Sequence, residues 1–198
     1  LHTACQYGEL EIVKVLMAGG ALEGKRDYYG QTYLYLASQY GRLEVVKLLL
    51  ASDVLVNATN NDGHTPLFIA AINGHLHVLD ILIASGATVN LTDKSGDTPL
   101  NCASGKGLID IVRRLLSAGA LVNEANNYGL TPLIHGSRFG KMSVVRALIR
   151  AGSLVNHADN KGITPLFLAS RYGHLDSLNY LIREGASVNQ PDNEGDTP

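Results

Sequence analysis

Apolar positions in this chain come in short helical bursts separated by glycine. Val45, Val46, Leu48, Leu49 and Leu50 form one burst; Val78, Leu79, Ile81, Leu82 and Ile83 form the next in phase with it. Spacings of one, three and four residues gather these side chains on one side of a helix. Gly86, Gly119, Gly152 and Gly185 follow successive bursts and are expected to end the helices. Ahead of each burst lies a shorter segment that opens on Thr and, in most copies, Pro. Thr accepts a backbone N–H of the first turn and Pro at the next position loses no helical hydrogen bond, so a short helix is expected to start there. Polar stretches such as Asn123-Glu124-Ala125-Asn126-Asn127-Tyr128-Gly129 lie between a burst and the next Thr, and read as projecting turns.

The period is 33 residues. Thr32, Thr65, Thr98, Thr131, Thr164 and Thr197 recur at that interval, followed by Pro66, Pro99, Pro132, Pro165 and Pro198 in all but the first copy. Counted from the next leucine, the repeats run 1–33, 34–66, 67–99, 100–132, 133–165 and 166–198, without insertion. Column four is small throughout (Ala4, Ala37, Ala70, Ala103, Gly136, Ala169), which lets neighbouring helices approach closely. Column eight is always glycine, from Gly8 to Gly173, and so is column thirty, from Gly30 to Gly195. The middle-repeat leucines Leu82 and Leu115 are expected to be buried.

With these columns the chain resembles the ankyrin-repeat family over its whole length; a 33-residue period with a T-P-L-H-x-A pattern marks that family. The resemblance implies an all-α fold, an ankyrin-repeat α-solenoid of helix-turn-helix units joined by β-turn fingers, here one domain over residues 1–198. It implies a protein-binding module or scaffold that holds a partner protein or peptide in a concave groove lined by fingers and first helices. It implies no enzymatic activity and no cofactor. Hydroxylation of the finger asparagines Asn57, Asn90, Asn123, Asn156 and Asn189 is a further implication, although the acidic residue commonly found two positions earlier is missing in all five.

The chain departs from the family pattern in places. The histidine after Thr-Pro-Leu is kept only as His2; Tyr35, Phe68, Asn101, Ile134 and Phe167 stand in its column, where apolar packing is expected to replace its hydrogen bonds. Glu23, Gly24, Tyr33 and Asp53 break the pattern where the first two repeats join, and that region is expected to be the loosest part of the interior. Neither end shows the polar outer face of a capping repeat, so a piece of a longer array is expected.

Composition narrows the function classes. A net charge of −2 gives no global attraction to nucleic acid or anionic membrane. No apolar run reaches about 18 residues, so no spanning helix is expected, and an intracellular, monomeric protein is. Cys5 and Cys102 lie three repeats apart, too far for a disulfide, and read as small buried residues in a reducing compartment. No phosphate-binding loop, dinucleotide fingerprint or nucleophile elbow occurs. His75 and His77 point to different sides of a helix and make a poor metal pair, so no metal is expected. The remaining histidines read as surface residues, and the finger aspartates Asp62, Asp93, Asp97, Asp159 and Asp192 as turn formers.

The resemblance places partner contacts in finger columns 26, 28, 29 and 31 and at the end of the first helix, columns 6 and 7. The candidates are Tyr7, Tyr28, Tyr29, Tyr40, Lys106, Tyr128, Arg138, Phe139, Arg171 and Tyr172. Six of the nine tyrosines fall in these columns, and Tyr and Arg are enriched at binding hot spots. An aromatic before the column-eight glycine can also serve packing alone. The fourth and fifth repeats carry eight basic residues against three acidic, which points to an acidic segment with apolar anchors. Arg113, Arg114, Arg146 and Arg150 belong to second helices and read as scattered surface charge. A spacer array without a ligand and a nucleic-acid- or nucleotide-binding array are the competing readings.

Overall fold

The computed structural model describes residues 1–21, 25–52 and 54–198. Its described residues form twelve α-helices and no strand. The chain divides into two compact units, Leu1–Lys94 and Ser95–Pro198. In the first, α1 (His2–Tyr7), α3 (Tyr33–Gln39) and α5 (Pro66–Ile72) alternate with α2 (Leu10–Ala18), α4 (Leu43–Leu50) and α6 (Leu76–Ala84). The second repeats the plan with α7 (Pro99–Lys106), α9 (Pro132–Arg138) and α11 (Pro165–Arg171), and with α8 (Ile109–Ser117), α10 (Met142–Arg150) and α12 (Leu175–Arg183). Within each unit, first helices pack on first helices and second helices on second helices, and each pair is closed against itself. Each unit is a length of helical solenoid.

The first helices begin where the Thr columns place them. The N–H groups of Tyr35, Phe68, Asn101, Ile134 and Phe167 donate to Thr32, Thr65, Thr98, Thr131 and Thr164 Oγ1 at 3.1, 3.1, 3.2, 3.3 and 3.2 Å. Second helices have no side-chain cap. Packing of their apolar stripe stabilises them instead, since short helices are marginal alone. Leu82 and Leu115 are fully buried, as are Leu49, Leu148 and Leu181 at the corresponding position.

The fingers are built by one column that the turn reading only partly caught. Position 27 of each repeat is Asp or Asn, and the side-chain oxygen of Asp27, Asn60, Asn126, Asp159 or Asp192 accepts two backbone N–H groups from its own finger. Asp27 takes those of Tyr29 and Gln31; Asn126 takes those of Tyr128 and Leu130; Asp159 takes those of Lys161 and Ile163. Asp159 and Asp192 are turn formers in this sense. Asp62 and Asp97 occupy other finger positions: Asp62 accepts from Asn60 and Asp97 from Asn126. Successive fingers are laced together by the next column. Asn160 N–H donates to Tyr128 O and its Nδ2 to Asn127 O, and Asn193 repeats both bonds one finger on.

Several expectations need correction. In the histidine column, Phe68, Ile134 and Phe167 are buried apolar residues as expected, but Asn101 is a buried polar tie. Its Nδ2 donates to Leu130 O at 2.9 Å and Glu124 O at 3.3 Å, and its Oδ1 accepts from the Thr98 hydroxyl. Tyr35 Oη likewise accepts from Asn60 Nδ2 at 3.3 Å. Tyr33 opens α3 where its neighbours have Pro; it is 7% exposed and its ring lies 4.5 Å from that of His2. Glu23, Gly24 and Asp53 lie outside the described residues. Cys5 is buried but Cys102 is only half-buried, and neither is in a disulfide.

The histidines are not simply surface residues. His75 Nε2 donates to Gln39 O and His174 Nε2 to Arg138 O, each at 3.0 Å, one repeat back. Arg42 makes the same tie from the same column, to Gln6 O. His64 lies 3.6 Å from Asp93 and His135 lies 3.3 Å from Asp97.

Candidate functional site

In the second unit, the fingers and the ends of the first helices enclose an open groove of about 330 Å³. Four sequence-derived candidates meet there: Tyr128 from one finger, Arg138 from the end of α9, and Arg171 and Tyr172 from the end of α11. Phe139 stands beside them under the Arg138 guanidinium, whose carbon lies 5.5 Å from the ring centroid. Tyr128, Phe139 and Tyr172 are 62%, 50% and 48% exposed, with the Arg138 guanidinium over the Phe139 ring. Lys106, at the end of α7, is exposed and does not line this groove.

The groove contains residues that the candidate set omitted. Lys161 adds a third cation and Leu168 apolar wall, beside Leu130 and Ile163 of finger column 31, a column already singled out from the sequence. Lys161 occupies column 29, one of the finger columns already singled out, so the column rule applied without a preference for aromatics would have found it. Leu168 belongs to the buried side of α11 and carries no sequence signal of a groove. The one carboxylate in the lining is Asp159, whose Oδ1 is occupied by the N–H groups of Lys161 and Ile163. Among the described residues, the groove is therefore a cationic and aromatic strip with one internally bonded acid.

The first unit carries a different set. Tyr28 and Tyr29 stand at a finger tip in edge-to-face contact, with centroids 5.3 Å apart, and Tyr28 is 90% exposed. Tyr40 borders a small open depression with Gln39, Asn73 and His75. Tyr7 is exposed at the end of α1. Of these four, Tyr40 lines that depression.

Among the described residues, no group of three or more His, Cys, Asp and Glu is placed to hold a metal ion. None of their helices is long and apolar enough to cross a membrane. The finger asparagines have structural bonds: Asn123 Oδ1 accepts Leu154 N–H and Asn156 Oδ1 accepts Ser187 N–H, each reaching the following repeat.

Paired antiparallel helices, stacked like on like and joined by laced fingers, define the class of helical repeat proteins. Within that class the chain belongs to the ankyrin-repeat family. The family model described as "Ankyrin repeats (3 copies)" matches it three times, at residues 1–60, 52–126 and 119–192. The general role of that family is protein interaction, and its members are typically not enzymes. No curated protein matches the chain.

Proposed function

We propose that the chain is a non-catalytic protein-binding module whose six repeats act as one monomeric domain in an intracellular setting, and that its partner is an extended acidic peptide with apolar anchors. The observation that carries this reading is the groove of the second unit. Arg138, Lys161 and Arg171 surround it with fixed positive charge, while Tyr128, Tyr172 and Ile163 offer apolar faces. Guanidinium groups grip carboxylates in paired hydrogen bonds, and exposed rings take apolar side chains with little entropy to lose. A pure spacer has no need of open rings beside cations. Nucleic acid is disfavoured by the net charge of −2.

The test is selection of a random linear peptide library on the chain and on its Arg138→Ala/Phe139→Ala/Arg171→Ala/Tyr172→Ala variant, both checked for the same unfolding midpoint. The expected result is enrichment of acidic peptides with aromatic or aliphatic anchors on the parent, lost on the variant. Equal enrichment on both would move the site away from this groove, to Tyr7, Tyr28, Tyr29 and Tyr40.

A further inference from the structure

The second helices of the second unit carry a separate charged feature. Arg113 on α8 and Arg146 on α10 occupy the same column of successive repeats, and Arg150 follows one turn after Arg146. All three are exposed, and together with Ser143 they line an open cleft of about 350 Å³ between α8 and α10. The remaining lining is apolar, from Leu116, Ala147 and Ala151. Among the described residues, no carboxylate lines this cleft, and it shares no residue with the peptide groove.

We propose that this cleft seats a phosphate monoester carried on a partner's serine or threonine side chain, at a site separate from the peptide groove. Three guanidinium groups offer paired N–H donors, and Ser143 adds a hydroxyl donor. A carboxylate saturates one such fork, whereas a phosphate brings up to two negative charges and three strong acceptors and can engage several. The Arg146 guanidinium carbon also lies 5.5 Å from the centroid of the Tyr180 ring on α12, a contact that is weak at an exposed site and yields to a phosphate. The apolar floor gives a seat to a residue flanking the phosphorylated one, which favours a peptide-borne phosphate over the free ion. The same outer helices also expose Asp110 and Asp176, with Glu184 at the end of α12. These acids repel an extended polyanion such as an anionic bilayer, but leave room for a single dianion in the cleft.

The experiment is an NMR titration of the whole chain with acetyl-Ala-phosphoserine-Leu-amide. Its unphosphorylated form, inorganic phosphate and phosphatidylserine vesicles are the comparison arms. The expected result is saturable movement of the Arg113, Arg146 and Arg150 side-chain N–H signals and of the Ser143 amide, kept unchanged in the Arg138→Ala/Phe139→Ala/Arg171→Ala/Tyr172→Ala variant. Arg113→Ala/Arg146→Ala should weaken binding about tenfold or more, and Arg113→Lys/Arg146→Lys, which keeps charge but loses the forks, should fall between that and the parent. The proposal is overturned if the unphosphorylated peptide moves the same signals equally, if the alanine variant binds as tightly as the parent, or if inorganic phosphate binds as tightly as the peptide. Tighter capture by the vesicles would overturn it in favour of a membrane surface. The groove variant separates the two sites: movement of the cleft signals that persists in it belongs to the cleft alone, whatever the groove binds.

Discussion

At the scale of single residues, glycine columns that look alike in sequence differ in what surrounds them. Gly129 has φ +80°, and a Cβ there would come within 2.7 Å of the Asn160 backbone nitrogen, in the laced finger. Gly119 has φ +87° and open space around it. Gly119→Ala is therefore expected to cost about 1–2 kcal/mol for the left-handed backbone alone. Gly129→Ala should cost more, because backbone must also shift. Urea unfolding of the two variants checks the order, and equal losses would mean the finger yields freely. Two buried acids make a second prediction. Burial pushes the Tyr35 phenol up to about 12, helped by the negative charges of Asp62 and Asp27 and by Tyr40. It also pushes the Cys5 thiol up to about 11. Both are folded as neutral groups, while in the unfolded chain they ionise near 10.0 and 9.0. The stability tied to them is complete below those values and is lost as pH rises through about 11 for Cys5 and about 12 for Tyr35. The unfolding midpoint should fall across that window, and Tyr35→Phe should flatten the part above pH 10.

At the scale of elements, the repeats are joined by polar ties as well as by apolar packing. Within a repeat Asn101 makes a further polar tie, since it is fully buried and bonds the helix cap Thr98 and the finger of its own repeat. Asn101→Ala is expected to lose about 1–3 kcal/mol, the usual cost of leaving buried polar partners unsatisfied. The carbonyls of Leu130 and Glu124 would both lose a donor. Phe167→Ala provides the apolar comparison in the same column, where the loss should be about 3–5 kcal/mol from lost packing. Equilibrium unfolding of both measures the balance. Periodicity exposed the column itself, but not its mixed chemistry.

At the scale of the whole chain, repeat proteins derive stability from contacts between neighbouring units, so protection follows local packing. Residues 187–198 are mostly exposed, whereas α9 is buried along most of its length. Amide hydrogens of 187–198 should exchange at least tenfold faster than those of α9, read by exchange mass spectrometry. Equal protection would show that something covers the final finger. The charge asymmetry acts on this scale too. With only three cations at the groove, binding of an acidic peptide should weaken moderately with salt, because exposed charges are screened within about 10 Å at 0.1 M.

The sequence by itself determined the repeat, the helix starts and ends, and the buried leucines, because each depends on local backbone chemistry or on a period that every copy shares. It also pointed to the columns that face a groove. Tertiary structure alone decided which residues meet. It brought Lys161 and Leu168 to Tyr128 and Arg171, left Lys106 outside that groove, and gathered Arg113, Arg146 and Arg150 around one cleft where the sequence showed only scattered charge. It also made ties between repeats of His174, which read as a surface residue, and of His75, which read only as half of a poor metal pair. The physical reason is reach. Column position specifies the side of the helix on which a side chain leaves, but what its far end touches depends on the neighbour one repeat away.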